Sequence, residues 1–429
     1  MQWDLAITMV GAVVLVLGLL SGLIRPKWLS EPMLALAAGV VLGPAVLGWL
    51  DPWQWGEAGD ARWPRVLVEH AALLTMAIGV MGVALRLPAR FLREHWRPLT
   101  LLLGPVMVAM WLVGGALVWA LLGTGMLTAL AIGAVITPTD PVLATSIVTG
   151  DFARRRLPAT LRHLISAESG VNDGLAVLVV MLPVLLLTNT TAASLLEWSL
   201  HVLLWQVVGA VALGWWLGLA AGWLLRAAER HQAIEQTPLL AYSLALSLVA
   251  LGLGELAGMT GILVVFMAGR GFATEVSLAD RQREQQTQEA VNRFFLLPIF
   301  VLLGLVLPWD AWGAMGWRGV ALVAAVLLVR RLPAVWLAMR LARRVGADAE
   351  PQAGLRGQPG VWFVGWFGPI GVAALYYAMH VETLTPLENV WPVASLVVVG
   401  STVVHGITAA PFTRLYDRAT GLGDSTNAS

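Results

Sequence analysis

Five charged side chains lie inside strongly apolar stretches of the sequence. They are the carboxylates Asp140, Glu168 and Asp173 and the guanidinium groups Arg330 and Arg331. Charged groups are costly within a bilayer and usually face the protein interior or water, so each of the five marks a functional position. A carboxylate in such surroundings can hold a proton or a small cation, one at a time. The chemistry that these residues indicate is reversible ion binding.

The segment Ser166–Gly174 fixes how two of these carboxylates relate to each other. Successive side chains of a helix are rotated by about 100°, so Glu168 and Asn172 share a face whereas Asp173 lies about 140° from Glu168. The two carboxylates therefore cannot both point into one small site.

Charge pairing gives these residues different roles. Asp173 is assigned to an ion cavity with Asp140 opposite it. Glu168 is expected to form an ion pair with Arg330, and the adjacent Arg331 can take that role instead. A buried charge without such a partner is strongly unfavourable.

Oxygen atoms near Asp173 complete a candidate site for an alkali cation. Asp140 offers a carboxylate, Thr139 a carbonyl and Ser169 a hydroxyl, whereas Asn172 contributes an amide without a charge. Because a proton and a cation compete for Asp173, and an empty charged site crosses a membrane poorly, each crossing carries one ion or the other. A single exchanging carboxylate predicts one cation for one proton, which is electroneutral.

The overall composition is that of a polytopic membrane protein. Of the 429 residues, 58% are hydrophobic and 12% are charged, whereas soluble domains carry about 25% charged residues. The formal net charge of +1 gives no reason to expect a nucleic-acid partner. The absence of cysteine excludes disulfides, thiolate catalysis and cysteine-ligated metals.

Thirteen apolar runs of roughly 17 to 25 residues are long enough to cross a bilayer. They start near Leu5, Pro32, Val66, Leu99, Met126, Ala159, Trp198, Pro238, Met259, Val291, Trp317, Gly360 and Val390. Outside these runs, Lys and Arg fall almost entirely on one side, in loops that include Arg270, and only Arg62, Arg65 and Arg318 fall on the other. Cytoplasmic loops hold these residues, so the N-terminus is expected outside and the C-terminus inside.

Thirteen spans divide into two halves of six around one linker helix, which predicts an inverted repeat. Each half has helix-breaking residues at its fifth span, in Thr137–Pro141 and in Gly365–Gly371. Unwound backbone is tolerated at membrane depth only where it lines a cavity, so both spans are predicted to be broken crossing helices. The breaks are assigned to Pro138, Pro141, Gly368 and Pro369.

These motifs together carry a family resemblance. Thr-Asp-Pro at 139–141, Glu-Ser-x-x-Asn-Asp-Gly at 168–174, Arg330 and the glycine-rich 365–371 resemble monovalent cation/proton antiporters of the NhaP-like sodium/proton exchanger branch with the Asn-Asp motif. The order and spacing of the motifs agree over essentially the whole chain. One departure is Ile370, which stands where many members carry an arginine.

The resemblance implies a residue-by-residue account of the site. Asp173 binds cation and proton, Thr139 and Asp140 line the site, and Glu168 pairs with an arginine of the eleventh helix. Na⁺ is the favoured cation, with Li⁺ or K⁺ as alternatives at Asp173 and Asp140. No cofactor is implied, because the ions are the cargo.

The resemblance also implies an all-helical fold of two inverted repeats, a homodimer and an elevator-like movement of the core. One transporter unit covers residues 1–413, with a core at about 97–187 and 317–413, a dimerisation or scaffold part at about 1–96 and 195–316, and a short cytoplasmic tail at 414–429. No attached regulatory domain is expected. The expected location is the bacterial inner membrane, with the lipid bilayer and a second copy as partners.

Two other functions remain open on the sequence. A passive cation channel would conduct without proton coupling. An intramembrane diaspartyl hydrolase would use Asp140 and Asp173 as an acid and base pair. The doubled helix breaks favour a transporter over this enzyme, because a protease site does not require them.

Overall fold

The computed structural model describes residues 2–24, 29–55, 63–141, 143–144, 149–232, 239–344 and 357–421. Within these ranges the regular elements are helices. They are α1 (Gln2–Ile24), α2 (Glu31–Leu42), α3 (Trp63–Arg86), α4 (Phe91–Glu94), α5 (Trp96–Leu101), α6 (Met107–Leu122), α7 (Met126–Val135), α8 (Gly150–Arg156), α9 (Ala159–Thr188), α10 (Thr191–Glu197), α11 (Ala210–Arg230), α12 (Leu239–Leu256), α13 (Gly261–Glu275), α14 (Leu278–Leu305), α15 (Trp309–Val329), α16 (Leu332–Arg344), α17 (Gly357–Trp366), α18 (Val372–Leu384) and α19 (Val390–Thr420).

Nine segments of the described chain are long and apolar enough to cross a membrane. Some of them join two labelled helices: π-helical turns at Leu102–Val106 and Trp198–Gly209 make Trp96–Leu122 and Thr191–Arg230 continuous. Two shorter apolar helices, α2 and α7, add to these. Each of the thirteen predicted segments overlaps a helix, but the count of thirteen and the inverted repeat stay predictions.

The helices α7 and α17 both end inside the protein. Helix α7 stops at Val135 and is followed by non-helical backbone through Asp140. Helix α17 stops at Trp366, and α18 begins only at Val372. The two interruptions touch, because the amide of Asp140 donates a 2.8 Å hydrogen bond to the carbonyl of Pro369.

The place where the interruptions after α7 and α17 touch is called the crossing below. Glycines bring neighbouring helices unusually close around it. A Cβ on Gly133 of α7 would collide with the backbone of Gly115 in α6. A Cβ on Gly174 of α9 would lie 2.8 Å from the Cβ of Leu263 in α13. Small residues allow such close backbone approach in membrane helices. The glycines therefore fix α7 and α9, which carry the candidate site, against their neighbours.

One sequence-based assignment needs correction. Arg270 does not lie in a loop: it is buried in α13, and its guanidinium donates to the carbonyls of Ala84, Leu87, Pro88 and Ala89 at the end of α3. A guanidinium has five N–H donors, which suits it to this cluster of helix-end carbonyls. Helix α19 continues to Thr420, and the cytoplasmic tail at 414–429 stays a prediction. Residues 422–429 lie outside the described residues, as does Arg62.

Candidate ion-binding site

Asp173 lies in the middle of α9 and is 1% exposed. Its Oδ1 atom is buried and accepts no hydrogen bond from the described residues. On either side of it, Gly170 packs against the ring of Phe266 and Gly174 against Leu263, both in α13. Asp173 therefore lies on a tightly packed boundary between helices.

Glu168 is paired with Arg331, not with Arg330. The guanidinium of Arg331 donates from Nη1 to Oε1 at 2.8 Å and from Nη2 to Oε2 at 3.0 Å. Both side chains are buried, at 3% and 2% exposure. Such a bidentate pair is the strong form of an arginine–carboxylate contact. The favoured partner in the sequence analysis was thus wrong by one position.

Arg330 instead binds the open ends of the two interrupted helices. It donates to the carbonyls of Ile136 and Thr137 after α7, at 2.9 Å for Thr137, and to Gly368 after α17 at 3.0 Å. The C-terminal end of a helix carries a partial negative charge and unpaired carbonyls. The buried guanidinium of Arg330 offsets this partial charge and hydrogen-bonds these carbonyls. It therefore stabilises the contact between the two interrupted helices.

Asp140 stabilises a helix N-terminus at the same crossing. Its Oδ2 accepts from the amide of Val372, the first residue of α18, at 2.6 Å, and its Oδ1 accepts from Leu143 at 3.1 Å. A carboxylate at this position caps the helix and offsets its positive end. The ends of α7 and α17 thus meet one buried cation, Arg330, and the start of α18 meets one buried anion, Asp140.

Thr139, Ser169 and Asn172 form a network with Glu168. Asn172 accepts from the Thr139 amide at 3.1 Å and donates to the Thr139 hydroxyl at 2.7 Å. It also donates to Glu168 Oε1 at 3.0 Å. The Thr139 hydroxyl lies 3.1 Å from that of Ser169. These contacts tie the unwound chain after α7 to α9.

The remaining predicted positions lie in the same crossing. Pro138 and Pro141 are buried in the non-helical backbone after α7, and Gly368 and Pro369 are buried between α17 and α18. Ile370 is also buried, and its amide donates to the Ser401 hydroxyl at 2.8 Å. Because Arg330 reaches the neighbouring carbonyl of Gly368, the crossing holds a guanidinium although position 370 is apolar.

Sequence reasoning left the role of one residue near Asp173 open. The hydroxyl of Tyr377 in α18 donates to the backbone carbonyl of Asp173 at 2.7 Å. A tyrosine within an apolar helix, a turn and a half beyond a predicted break, suggests a gate, but packing is the simpler explanation on the sequence, and neither predicts this contact.

The three carboxylates of the site are thus held in different ways. Glu168 has a guanidinium and Asp140 has two backbone amides. Asp173 has neither at its Oδ1. A buried carboxylate beside two touching, interrupted helices is the arrangement of secondary transporters that bind ions at broken helices. The fold and the site define this class of membrane protein.

Comparisons with known proteins give the family. The structure of the sodium proton antiporter MjNhaP1 from Methanocaldococcus jannaschii at pH 8 matches this fold with a TM-score of 0.70 at 16% identity, covering 96% of this chain and 99% of that one. The Na(+)/H(+) antiporter 2 of Zygosaccharomyces rouxii is 32% identical over 89% of this chain, which spans about half, 49%, of that relative's length. The Na(+)/H(+) antiporter of Schizosaccharomyces pombe is 28% identical over 94% of this chain and 89% of its own length.

The profile of the family described as "Sodium/hydrogen exchanger, transmembrane" matches residues 11–415. The chain belongs to this family, which is one of transporters and not of enzymes. Its members need no cofactor, since the transported ions are their substrates. The protein is a multi-pass membrane protein. The bacterial inner membrane is the location expected from the sequence, but the yeast relatives speak against that location.

Proposed function

We propose that the protein is a secondary antiporter that exchanges a monovalent cation, Na⁺ first among them, for H⁺ at Asp173. The observation that carries the proposal is that no described residue donates a hydrogen bond to Asp173 Oδ1, in a site where Glu168 and Asp140 both have partners. A buried, uncompensated carboxylate is strongly unfavourable when charged. It therefore requires a proton or a metal cation whenever it is enclosed.

Exchange follows from this requirement. The proton and the cation neutralise the same oxygens, so they bind one at a time. The empty, charged form is the one that cannot be enclosed, so net movement of one ion without the other is blocked. With Glu168 held by Arg331 and Asp140 held by amides, only Asp173 changes charge, which supports a one-to-one, electroneutral cycle.

The cation ligands beyond Asp173 are proposed to come from the unwound chain and its neighbours. Thr139 and Ser169 bring hydroxyl oxygens, and Asp140 brings carboxylate oxygens. The amide of Asn172 is engaged at both its oxygen and its nitrogen. Its contribution is to hold Thr139 in place.

Alternating access is proposed to be an elevator movement of a core, at about 97–187 and 317–413, against a scaffold at about 1–96 and 195–316. The uncompensated carboxylate lies on α9 of the core, and the residues that cover its helix belong to α13 of the scaffold. A sliding boundary at this place would expose Asp173 to one side at a time. The scaffold is also proposed to form a homodimer, with the N-terminus outside and the C-terminus in the cytoplasm.

The test is proton movement in sealed vesicles containing the purified protein and a pH-sensitive dye. An antiporter gives a dye signal on addition of Na⁺, and D173N abolishes it, because an amide cannot carry a proton or balance a cation. Persistent exchange in D173N would refute the site. A Na⁺ current without proton movement would indicate the rival function, a passive channel. Parallel additions of Li⁺ and K⁺ rank the cations.

A further inference from the structure

Tyr377 makes a direct contact between the two helices that carry the site. It is 2% exposed in α18, and its hydroxyl donates to the backbone carbonyl of Asp173 in α9 at 2.7 Å. Asp173 and Val177 are four residues apart, so their carbonyl and amide are the two groups that pair within a regular helix.

The tyrosine hydroxyl thus binds a carbonyl of α9 at the turn that begins with Asp173. The contact also ties this turn to α18, whose first amide, that of Val372, is bound by Asp140. The carboxylate of Asp140 and the backbone of Asp173 are therefore linked through one short helix.

This link matters because the Asp173 side chain has so little else to orient it. Its Oδ1 accepts no hydrogen bond from the described residues. The direction of the carboxylate is then set by its own backbone and by the packing of Gly170 and Gly174 on α13. A group that fixes this backbone fixes the distance between Asp173 and the other ligands.

We infer that Tyr377 is a positioning residue of the ion site, acting through its hydroxyl on the backbone of Asp173. This inference rests on the proposed function of Asp173. Without the hydroxyl, the turn of α9 is free to relax, and the carboxylate loses its fixed distance from the crossing. Cation binding needs several oxygens at defined distances, whereas a proton needs only one. Loss of the hydroxyl should therefore weaken the binding of the cation more than the binding of the proton.

The test compares Y377F with Y376F in the vesicle assay. Phenylalanine keeps the ring of Tyr377 and its contact with Tyr376, at 5.1 Å between ring centroids, so only the hydroxyl is lost. For Y377F we expect a KM for Na⁺ raised about three- to tenfold, a small change in maximal rate, and inhibition by protons that begins at higher pH. For Y376F, whose ring contacts Tyr377 and His380, we expect a KM within twofold of the wild type.

The outcomes separate the inference from the function on which it rests. Wild-type KM and pH profile in Y377F, or an equal change in Y376F, would overturn the role of the hydroxyl. Exchange that survives in D173N would instead overturn the proposed function. Stabilisation by Na⁺ gives a second readout in detergent, because a bound cation raises the unfolding temperature. The Na⁺-induced rise should shrink in Y377F and persist in Y376F, and an undiminished rise in Y377F would contradict the inference.

Discussion

Arg331 holds Glu168 through two hydrogen bonds of 2.8 and 3.0 Å, in a place where neither side chain is more than 3% exposed. The pair removes one carboxylate from the ion chemistry. Asn172 and Thr139 then attach the same carboxylate to the unwound chain after α7. The ion pair is thus part of the framework that places the crossing beside Asp173.

Breaking this pair should destabilise the protein more than it changes ion affinity. E168Q leaves the buried guanidinium of Arg331 without its counter-charge, which costs about 3–5 kcal/mol. We expect a lower unfolding temperature and lower protein yield, with a near-normal KM for Na⁺ in the molecules that fold. The double variant E168M/R331M removes both charges and should be more stable than E168Q. Normal stability with a changed KM would contradict the structural role.

The two contributions of Asp140 can be separated by D140N. Asparagine caps a helix about as well as aspartate, so the bond to the Val372 amide should persist. The amide of Leu143 loses its acceptor, because the side-chain nitrogen of asparagine only donates, so we expect a small loss of stability. The charge on the cation ligand is lost, so we expect the KM for Na⁺ to rise about tenfold, equivalent to about 1.4 kcal/mol. Thermal unfolding and vesicle exchange measure the two effects. An unchanged KM would mean that Asp140 only caps α18.

The proposed elevator movement predicts that α3 and α18 slide past each other. Two side-chain contacts join these helices at the same end: an ion pair between Arg65 and Glu382 at 3.2 Å, and a contact of 3.8 Å between Glu69 and the His380 ring. Because the chain contains no cysteine, E69C/H380C can be joined specifically by a short bis-methanethiosulfonate linker. Exchange should stop on cross-linking and return on reduction.

A matched control lies away from the proposed sliding boundary between core and scaffold. Arg156 and Asp417 are 3.7 Å apart and similarly exposed, and they join α8 to α19. Cross-linked R156C/D417C should keep exchange, since no sliding boundary is bridged. Full exchange in cross-linked E69C/H380C would exclude this movement between α3 and α18.

N172D should weaken the fold in a pH-dependent way. The Asn172 amide nitrogen donates to Glu168 Oε1 at 3.0 Å. An ionised aspartate would place two carboxylates against each other, whereas a protonated one restores a donor. The loss of stability should therefore be largest at alkaline pH and shrink as the pH falls. Unfolding temperatures of N172D and wild type from pH 5 to 8 check this, and a pH-independent difference would contradict it.

Much of the site could be predicted from the sequence because it depends on local properties of the chain. The 100° rotation per residue separates Glu168 from Asp173 whatever surrounds them. Proline and glycine interrupt helices through their own backbone chemistry, so non-helical backbone at 137–140 and 367–371 follows from residue types. Apolar run length likewise indicates membrane-crossing helices before any contact is known.

Contacts between distant segments could not be foreseen in this way. Arg330 and Arg331 are adjacent, and Pro333 follows in the first turn of α16, so they lie in a bend where helical geometry does not give their directions. Arg330 pairs with the carbonyls after α7 and α17, and Arg331 pairs with Glu168. These partners lie far away along the chain. The same holds for Tyr377 and Asp173, which are 204 residues apart. Sequence periodicity gives the direction of a side chain around the axis of its own helix. The rotation of one helix against another depends on packing that involves the whole bundle.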